Sequence, residues 1–167
     1  MPLHEWPLWL ATLTLGVGAT ALMDLSAVTL QRTAAIPAPD WALIGRWVAY
    51  WPSGVFHHPS IAQAHPKTGE RPLGWLTHYL VGSLLAGSFV AVVGRDWLAN
   101  PEPRAAVGWG LTTVLLPYLI LQPALGAGLA ARHSPKPASA RLRSLFNHGI
   151  FGFGLYLSAA LLQGVAP

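Results

Sequence analysis

Asp24 lies inside a long apolar segment of the sequence, between Met23 and Leu25. A carboxylate in a bilayer is costly unless it is paired or protonated, so an intramembrane acid is by default a candidate functional residue. Asp24 comes six residues before Leu30, the predicted end of the segment, which places it roughly 9 Å inside the helix. The alternative is that Asp24 pairs with an arginine or caps a loop near the membrane surface.

Two histidines and a glutamine are predicted to join Asp24 in one polar site. His78 and His148 each lie about a turn inside a later apolar segment, at the depth expected for Asp24. An Asp–His–His cluster can bind a divalent metal or relay protons, whereas isolated histidines form hydrogen bonds between helices. Gln122 precedes Pro123, and transporters place substrates at such helix breaks, although most proline kinks serve packing. The catalytic residues, if there are any, stay unknown.

A second group of candidate ligands lies in the loop before the second apolar segment. The group consists of His57, His58, His65 and Glu70. Histidine-rich tracts bind metals, but this spacing does not match a compact zinc motif such as HExxH. Solvated loop histidines are the alternative, so the cofactor is unknown and a divalent metal is one candidate.

The composition is that of a membrane protein. Hydrophobic residues make up 53% of the chain and charged residues only 10%, whereas a typical soluble domain has roughly 25% charged residues. The formal net charge of +4 comes from basic residues between apolar segments, which indicates membrane topology and no nucleic-acid partner. The absence of cysteine excludes disulfides and thiolate chemistry.

Four segments are long and apolar enough to cross a bilayer, and we expect the lipid bilayer to surround them. The predicted fold is one all-α membrane domain, residues 1–167, with helices at about 7–30, 72–94, 105–131 and 144–165. The third segment contains Pro117 and Pro123, so we expect it to be tilted or broken.

The positions of the charges predict an orientation. Loops 31–71 and 132–143 each contain four Lys or Arg residues, whereas in the intervening loop Arg95 and Arg104 are offset by acids. The positive-inside rule then places both basic loops in the cytoplasm and both termini outside. No Lys or Arg precedes the first apolar segment, so it is predicted to be a retained helix and no signal peptide.

The first basic loop is predicted to contain a short amphipathic helix, residues 41–51, with Asp40 as its N-cap. Its apolar face consists of Trp41, Ile44, Trp47, Val48 and Trp51, and the opposite face of Gly45, Arg46 and Ala49. This pattern favours a helix in the headgroup region, and a helix partly buried under the bundle is the alternative.

Glycines mark the expected helix contacts. The predicted helix-packing positions are Gly16, Gly18, Gly82, Gly126, Gly128, Gly152 and Gly154. A Gly-x-Gly pair in the first and third segments, and a His-x-x-x-Gly sequence in the second and fourth, point to two parallel helical hairpins. Chance is the alternative, because glycine is frequent in membrane helices.

Several motifs occur together in one order along nearly the whole chain. They are Gly16-Val-Gly-Ala-Thr-Ala-Leu-Met-Asp24, Gly45-Arg46-Trp47, Gly69-Glu70 with Gly74-Trp75-Leu-Thr-His78-Tyr79, Gln122-Pro-Ala-Leu-Gly-Ala-Gly128, and Asn147-His148 with Phe151-Gly-Phe-Gly-Leu-Tyr156. The chain thereby resembles a domain-of-unknown-function family of small bacterial inner-membrane proteins. The resemblance implies a multi-pass protein of the bacterial inner membrane and assigns no catalytic role.

Three functions fit these patterns. The first is handling of a small molecule or ion at the polar site within the bundle. The second is a role as an accessory or assembly subunit, or a homo-oligomer, in which glycine faces contact a membrane-protein partner. The third is a membrane enzyme that uses a histidine-bound metal. We rank them in this order, so an enzyme is the least expected.

Overall fold

A computed structural model describes residues 2–165 of the chain, and their side chains as far as residue 164. Across this part of the chain the regular structure is helical, without strands. Its α-helices are α1 (Leu8–Ala34), α2 (Trp41–Tyr50), α3 (Glu70–Val93), α4 (Pro103–Ala124) and α5 (Pro137–Val165). The prediction of an all-α fold is confirmed. The predicted domain of residues 1–167 includes Met1 and residues 166–167, which lie outside the described residues.

Four of these helices, α1, α3, α4 and α5, are long and apolar enough to cross a membrane. This confirms the predicted number of membrane-spanning helices. The third one ends earlier than the predicted residue 131, at Ala124. It stops there because Gly126 and Gly128 have φ values of +94° and +73°, which a right-handed helix does not allow.

The end of α4 is irregular. Residues Pro117–Leu121 form a π-helical turn, and Gln122–Ala124 continue as a last α-helical turn. Pro117 and Pro123 lack a backbone N–H and cannot complete the regular i to i−4 hydrogen bonds, so the helix is interrupted where the sequence predicts a break.

The chain forms two compact units. The first unit contains Met1–Ala38, Tyr79–Thr113 and Asn147–Pro167, and the second contains Pro39–His78 and Val114–Phe146. The chain therefore passes from one unit to the other between α1 and α2 and again within α3, α4 and α5.

Close contacts at glycines hold the helices of the first unit together. A Cβ added at Gly16 of α1 would lie 2.9 Å from the carbonyl oxygen of Gly82 in α3. A Cβ at Gly110 of α4 would lie 2.6 Å from the Cα of Gly152 in α5. Such approaches are possible only without a side chain, and they let dispersion forces and hydrogen bonds act between helices. The core between the helices includes fully buried Leu15, Ala86, Phe89, Leu155 and Ala159.

In the second unit, α2 crosses the beginning of α3 at backbone contact. A Cβ added at Gly45 would lie 2.6 Å from the backbone nitrogen of Gly74. Asp40 accepts a hydrogen bond of 3.0 Å from the N–H of Ala42, as expected of an N-cap. The described bounds of α2 match the predicted helix apart from its last residue.

The two faces of α2 differ in burial. The buried residues of α2 are Ala42, Gly45 and Arg46, so the face opposite the tryptophans packs inside the unit. The tryptophan face stays partly exposed, and Trp51 just beyond the helix is 40% exposed. Arg46 can be buried because it has a partly buried carboxylate partner, described below. A location of α2 in the headgroup region stays a prediction.

Candidate functional site

Asp24 is held by a hydroxyl group of a neighbouring helix. The phenol of Tyr79 in α3 donates a hydrogen bond of 3.0 Å to Oδ2 of Asp24 in α1. Both side chains are partly buried. The two helices are antiparallel here, because contacts descend in α3 as they ascend in α1, from Gly16 beside Ser83 to Asp24 beside Tyr79. This hydrogen bond fixes the position of the carboxylate between the two helices.

His148 is held in the same way. Its Nδ1 lies 2.8 Å from Oγ1 of Thr113 in α4, and this hydroxyl donates a hydrogen bond of 2.6 Å to the carbonyl oxygen of Gly110. These two contacts fix the orientation of the imidazole against α4, and the donor and acceptor between Thr113 and His148 follow from the tautomer of the ring.

The contacts of the first unit place these four residues at one level. Ala19 of α1 packs against Gly154 of the antiparallel α5, where a Cβ on the glycine would lie 2.7 Å from the Cα of Ala19. From that contact, Asp24 is five residues along α1 and His148 six residues back along α5. At 1.5 Å per residue both lie roughly 8 Å from the contact, in the same direction. We call Asp24, Tyr79, Thr113 and His148 the polar layer, because each comes from a different membrane-spanning helix.

The other two predicted site residues, His78 and Gln122, belong to the second unit. The ring of His78 stacks on Trp41 with a centroid distance of 3.7 Å and an interplanar angle of 20°. Gln122 donates a hydrogen bond of 3.1 Å from Nε2 to Oγ of Ser144, while its buried Oε1 has no partner within the described residues. The assignment of His78 and Gln122 to the site stays a prediction.

Sequence reasoning missed an ion pair that organises the second unit. Arg46 forms two hydrogen bonds of 2.8 Å with Glu70, from Nε to Oε2 and from Nη2 to Oε1. Its Nη1 also donates to the carbonyl oxygens of Ile61 and Ala64, at 3.1 and 3.0 Å. The hydrogen bond with Glu70 raises the pKa of Arg46, so the guanidinium stays charged although only 8% of the residue is exposed. Arg46 thus fixes both the start of α3 and the loop before it.

The predicted metal ligands are not grouped. Glu70 is occupied by Arg46 and by the backbone N–H of Lys67, which donates to Oε2 at 2.8 Å. His57 is exposed, and Nδ1 of the exposed His65 lies 2.9 Å from the carbonyl oxygen of Pro66. Among residues 2–164, no three His, Asp or Glu side chains are arranged to hold a metal ion.

Five of the predicted packing glycines lie at helix contacts of the first unit, and two do not. Those at contacts are Gly16, Gly18, Gly82, Gly152 and Gly154. Gly126 and Gly128 lie in the loop after α4, where a Cβ on Gly126 would meet the carbonyl of Pro59. The Gly-x-Gly part of the predicted hairpin repeat is therefore wrong, and the His-x-x-x-Gly part stays a prediction.

Tyr79 and Thr113 are the polar-layer residues that sequence reasoning did not single out. Tyr79 follows His78 directly and belongs to a quoted motif, but nothing in the sequence pairs it with Asp24. Nothing in the sequence distinguishes Thr113 from the other helical threonines, because hydroxyl groups in helices usually bond their own backbone. The one feature that could have drawn attention to Thr113 is its position three residues after Gly110, which lies at the close contact with α5.

Comparison with known proteins identifies a family that matches most of the chain. No solved structure matches the chain. A family model described as a protein of unknown function, DUF2938, matches residues 13–162. The match includes the whole of α3 and α4, most of α1 and α5, and every residue of the polar layer. The chain therefore belongs to the DUF2938 family.

Proposed function

We propose that the chain is a multi-pass membrane protein that handles a small ion or molecule at the polar layer. The observation that carries this proposal is the placement of Asp24 and His148 at one level of the first unit, each held by a hydroxyl of an adjacent helix. Ionisable groups are rare in membrane-spanning helices and commonly mark ion and proton pathways. His78 and Gln122 remain candidate contributors.

The chemistry of the polar layer suits exchange of protons. Asp24 supplies a carboxyl group and His148 an imidazole, and both kinds of side chain take up and release protons. Their hydroxyl partners can both donate and accept hydrogen bonds. We therefore propose that protons move through this layer, alone or together with a small molecule.

We further propose that the membrane is the bacterial inner membrane, with both termini outside and loops 31–71 and 132–143 in the cytoplasm. The support is the distribution of charge. The second unit, which contains most of both loops, has seven Lys or Arg residues and two acids, whereas the first has three and four. Basic loops are retained on the cytoplasmic side.

The test is proton flux into vesicles that contain the purified protein. A potassium gradient with valinomycin imposes a membrane potential, and a trapped dye reports the internal pH. We expect wild-type vesicles to acidify faster than protein-free vesicles. Asp24→Asn and His148→Gln should reduce the rate to that of protein-free vesicles, because each removes a proton-exchanging group.

Matched controls separate the polar layer from general effects of charge. Asp96→Asn and His133→Gln make the same chemical changes at exposed residues outside the membrane-spanning helices, and should leave the flux unchanged. The proposal is wrong if folded Asp24→Asn and His148→Gln proteins conduct protons like wild type, or if wild type does not exceed protein-free vesicles.

A further inference from the structure

Thr20 differs from the other threonines in the helices of this protein. Seven of them donate their hydroxyl hydrogen to a backbone carbonyl three or four residues earlier: Thr12, Thr14, Thr29, Thr33, Thr77, Thr112 and Thr113. Thr20 does not, and its buried Oγ1 has no hydrogen-bond partner within the described residues. A hydroxyl that forgoes the usual backbone bond in a buried place requires an explanation.

The Thr20 hydroxyl lies at the contact between α1 and α3. Thr20 is 1% exposed, and its Oγ1 occupies the space in which a Cβ of Gly82 would lie. Packing alone offers only a weak contact of this oxygen with the Cα–H of Gly82. An unbonded buried hydroxyl costs free energy, and an apolar group of the same shape would avoid that cost.

Asp24 lies one helical turn from Thr20. Residues four apart on a helix are neighbours on one face. The same is true across the contact, because Thr20 packs on Gly82 while Asp24 accepts from Tyr79, three residues earlier in α3. Thr20 and Asp24 therefore follow each other by one turn along the α1–α3 contact, at the spacing at which two side chains of a helix can reach a common ligand.

We infer that Thr20 and Asp24 together bind a small, hard monovalent cation, Na⁺ or hydronium. Both groups offer oxygen ligands, which hard cations prefer, and the carboxylate supplies the charge that a cation needs in an apolar surrounding. This inference rests on the proposed function, because it names the class of ion that the polar layer handles. It adds Thr20 as a ligand one turn from that layer.

The test is thermal unfolding of the purified protein in detergent, with NaCl replaced stepwise by choline chloride at constant ionic strength and pH. We expect Na⁺ to raise the unfolding midpoint in a saturable way, by about 2–4 °C. Thr20→Val should abolish this rise while leaving the midpoint in choline chloride unchanged or higher, because only an unbonded hydroxyl is lost. Asp24→Asn should abolish it too.

Thr14→Val is the matched control, since it removes a backbone-bonded hydroxyl from the same helix and should keep the response to Na⁺. If Na⁺ has no effect, the same proteins are compared at lower pH. Hydronium is then the cation if acidification stabilises the wild type but stabilises neither Thr20→Val nor Asp24→Asn. The inference is overturned if Thr20→Val responds to Na⁺ or acid like wild type, or if wild type responds to neither.

This binding test is independent of the flux test. Suppose that the flux requires Asp24 and His148 but Thr20→Val does not change the stabilisation by the cation. The inference is then overturned and the proposed function is kept. Suppose instead that the stabilisation requires Thr20 and Asp24 but Asp24→Asn does not change the flux. The proposed function is then overturned and the cation site is kept.

Discussion

Two kinds of charged residue are distinguished by their partners. Arg46 and Glu70 neutralise each other through a bidentate pair, with side chains only 10% and 17% exposed. Asp24 and His148 each bond a hydroxyl of an adjacent membrane-spanning helix, which orients an ionisable group within the helices. We expect the first pair to stabilise the fold, and we propose that Asp24 and His148 belong to the functional site.

The stabilising role of Glu70 predicts the effect of removing its charge. Glu70→Gln leaves Arg46 partly buried without a counter-charge and weakens its hold on residues 61–64, so the free energy of unfolding should fall by about 3 kcal/mol. Chemical unfolding in detergent measures this change. Glu102→Gln is the control, because Glu102 is exposed and its change should stay within about 0.5 kcal/mol. An equal effect of both substitutions would contradict the structural role of the ion pair.

At the scale of the helix, glycine contacts determine where the polar layer lies. The carbonyl of His148 lies against Gly110, so the contact of α4 with α5 places the imidazole opposite Thr113. On the other side, the contact of Gly16 with Gly82 aligns α1 with α3, and thereby Asp24 with Tyr79. A change in the distance between two of these helices would therefore change the geometry of the polar layer.

Gly110→Ala tests that link against a neighbour on the same helix. Its methyl group would meet the backbone of His148 and Gly152, so we expect a loss of about 1–3 kcal/mol in unfolding free energy and a slower proton flux. Gly108 has no atom within 4 Å of an added Cβ, so Gly108→Ala should be neutral or slightly stabilising. Unfolding and flux measurements on both variants decide the matter, and similar behaviour of the two would contradict the account.

Helices could be predicted from the sequence better than the contacts between them. Apolar length alone is enough to find membrane-spanning helices, and Asp40 was a recognisable N-cap. The end of α4 was misplaced because the chain stays apolar through Leu125 to Ala131, although Gly126 and Gly128 leave the helix. The burial of one face of α2 stayed open because hydrophobic periodicity cannot reveal that Arg46 meets Glu70, a contact 24 residues away.

Part of the proposed site can be derived from the sequence, at the level of residue types. The cost of burying charge identified Asp24 and His148 without knowledge of neighbouring helices. Their partners Tyr79 and Thr113 depend on which helices touch and in what rotation, and a single sequence does not contain that information. For the same reason Thr20 could not be distinguished from the seven threonines with backbone bonds.

At the scale of the whole molecule, the two units differ in charge. The second unit has the large excess of basic residues and the Arg46–Glu70 pair, whereas the first unit has the polar layer. We propose that this division of charge determines the orientation of the chain in a bilayer, because basic loops are usually retained on the cytoplasmic side.

The orientation can be measured with introduced cysteines, since the natural chain has none to give background labelling. Gln63 and Asn100 are exposed residues of the first and second loops. In intact cells, a membrane-impermeant maleimide should label Asn100→Cys and not Gln63→Cys, and both should react after permeabilisation. Labelling of Gln63→Cys in intact cells would contradict the proposed orientation.

The most direct test of the central claim, that Asp24 and His148 serve one site, is a double-mutant cycle on proton flux with Tyr79→Phe and Thr113→Val. Each substitution removes one orienting hydrogen bond, so each should slow the flux about tenfold. If the polar layer acts as a unit, the double variant should be slowed by little more than the worse single variant. Losses that multiply, to about a hundredfold, would show that Asp24 and His148 act independently and would contradict the account.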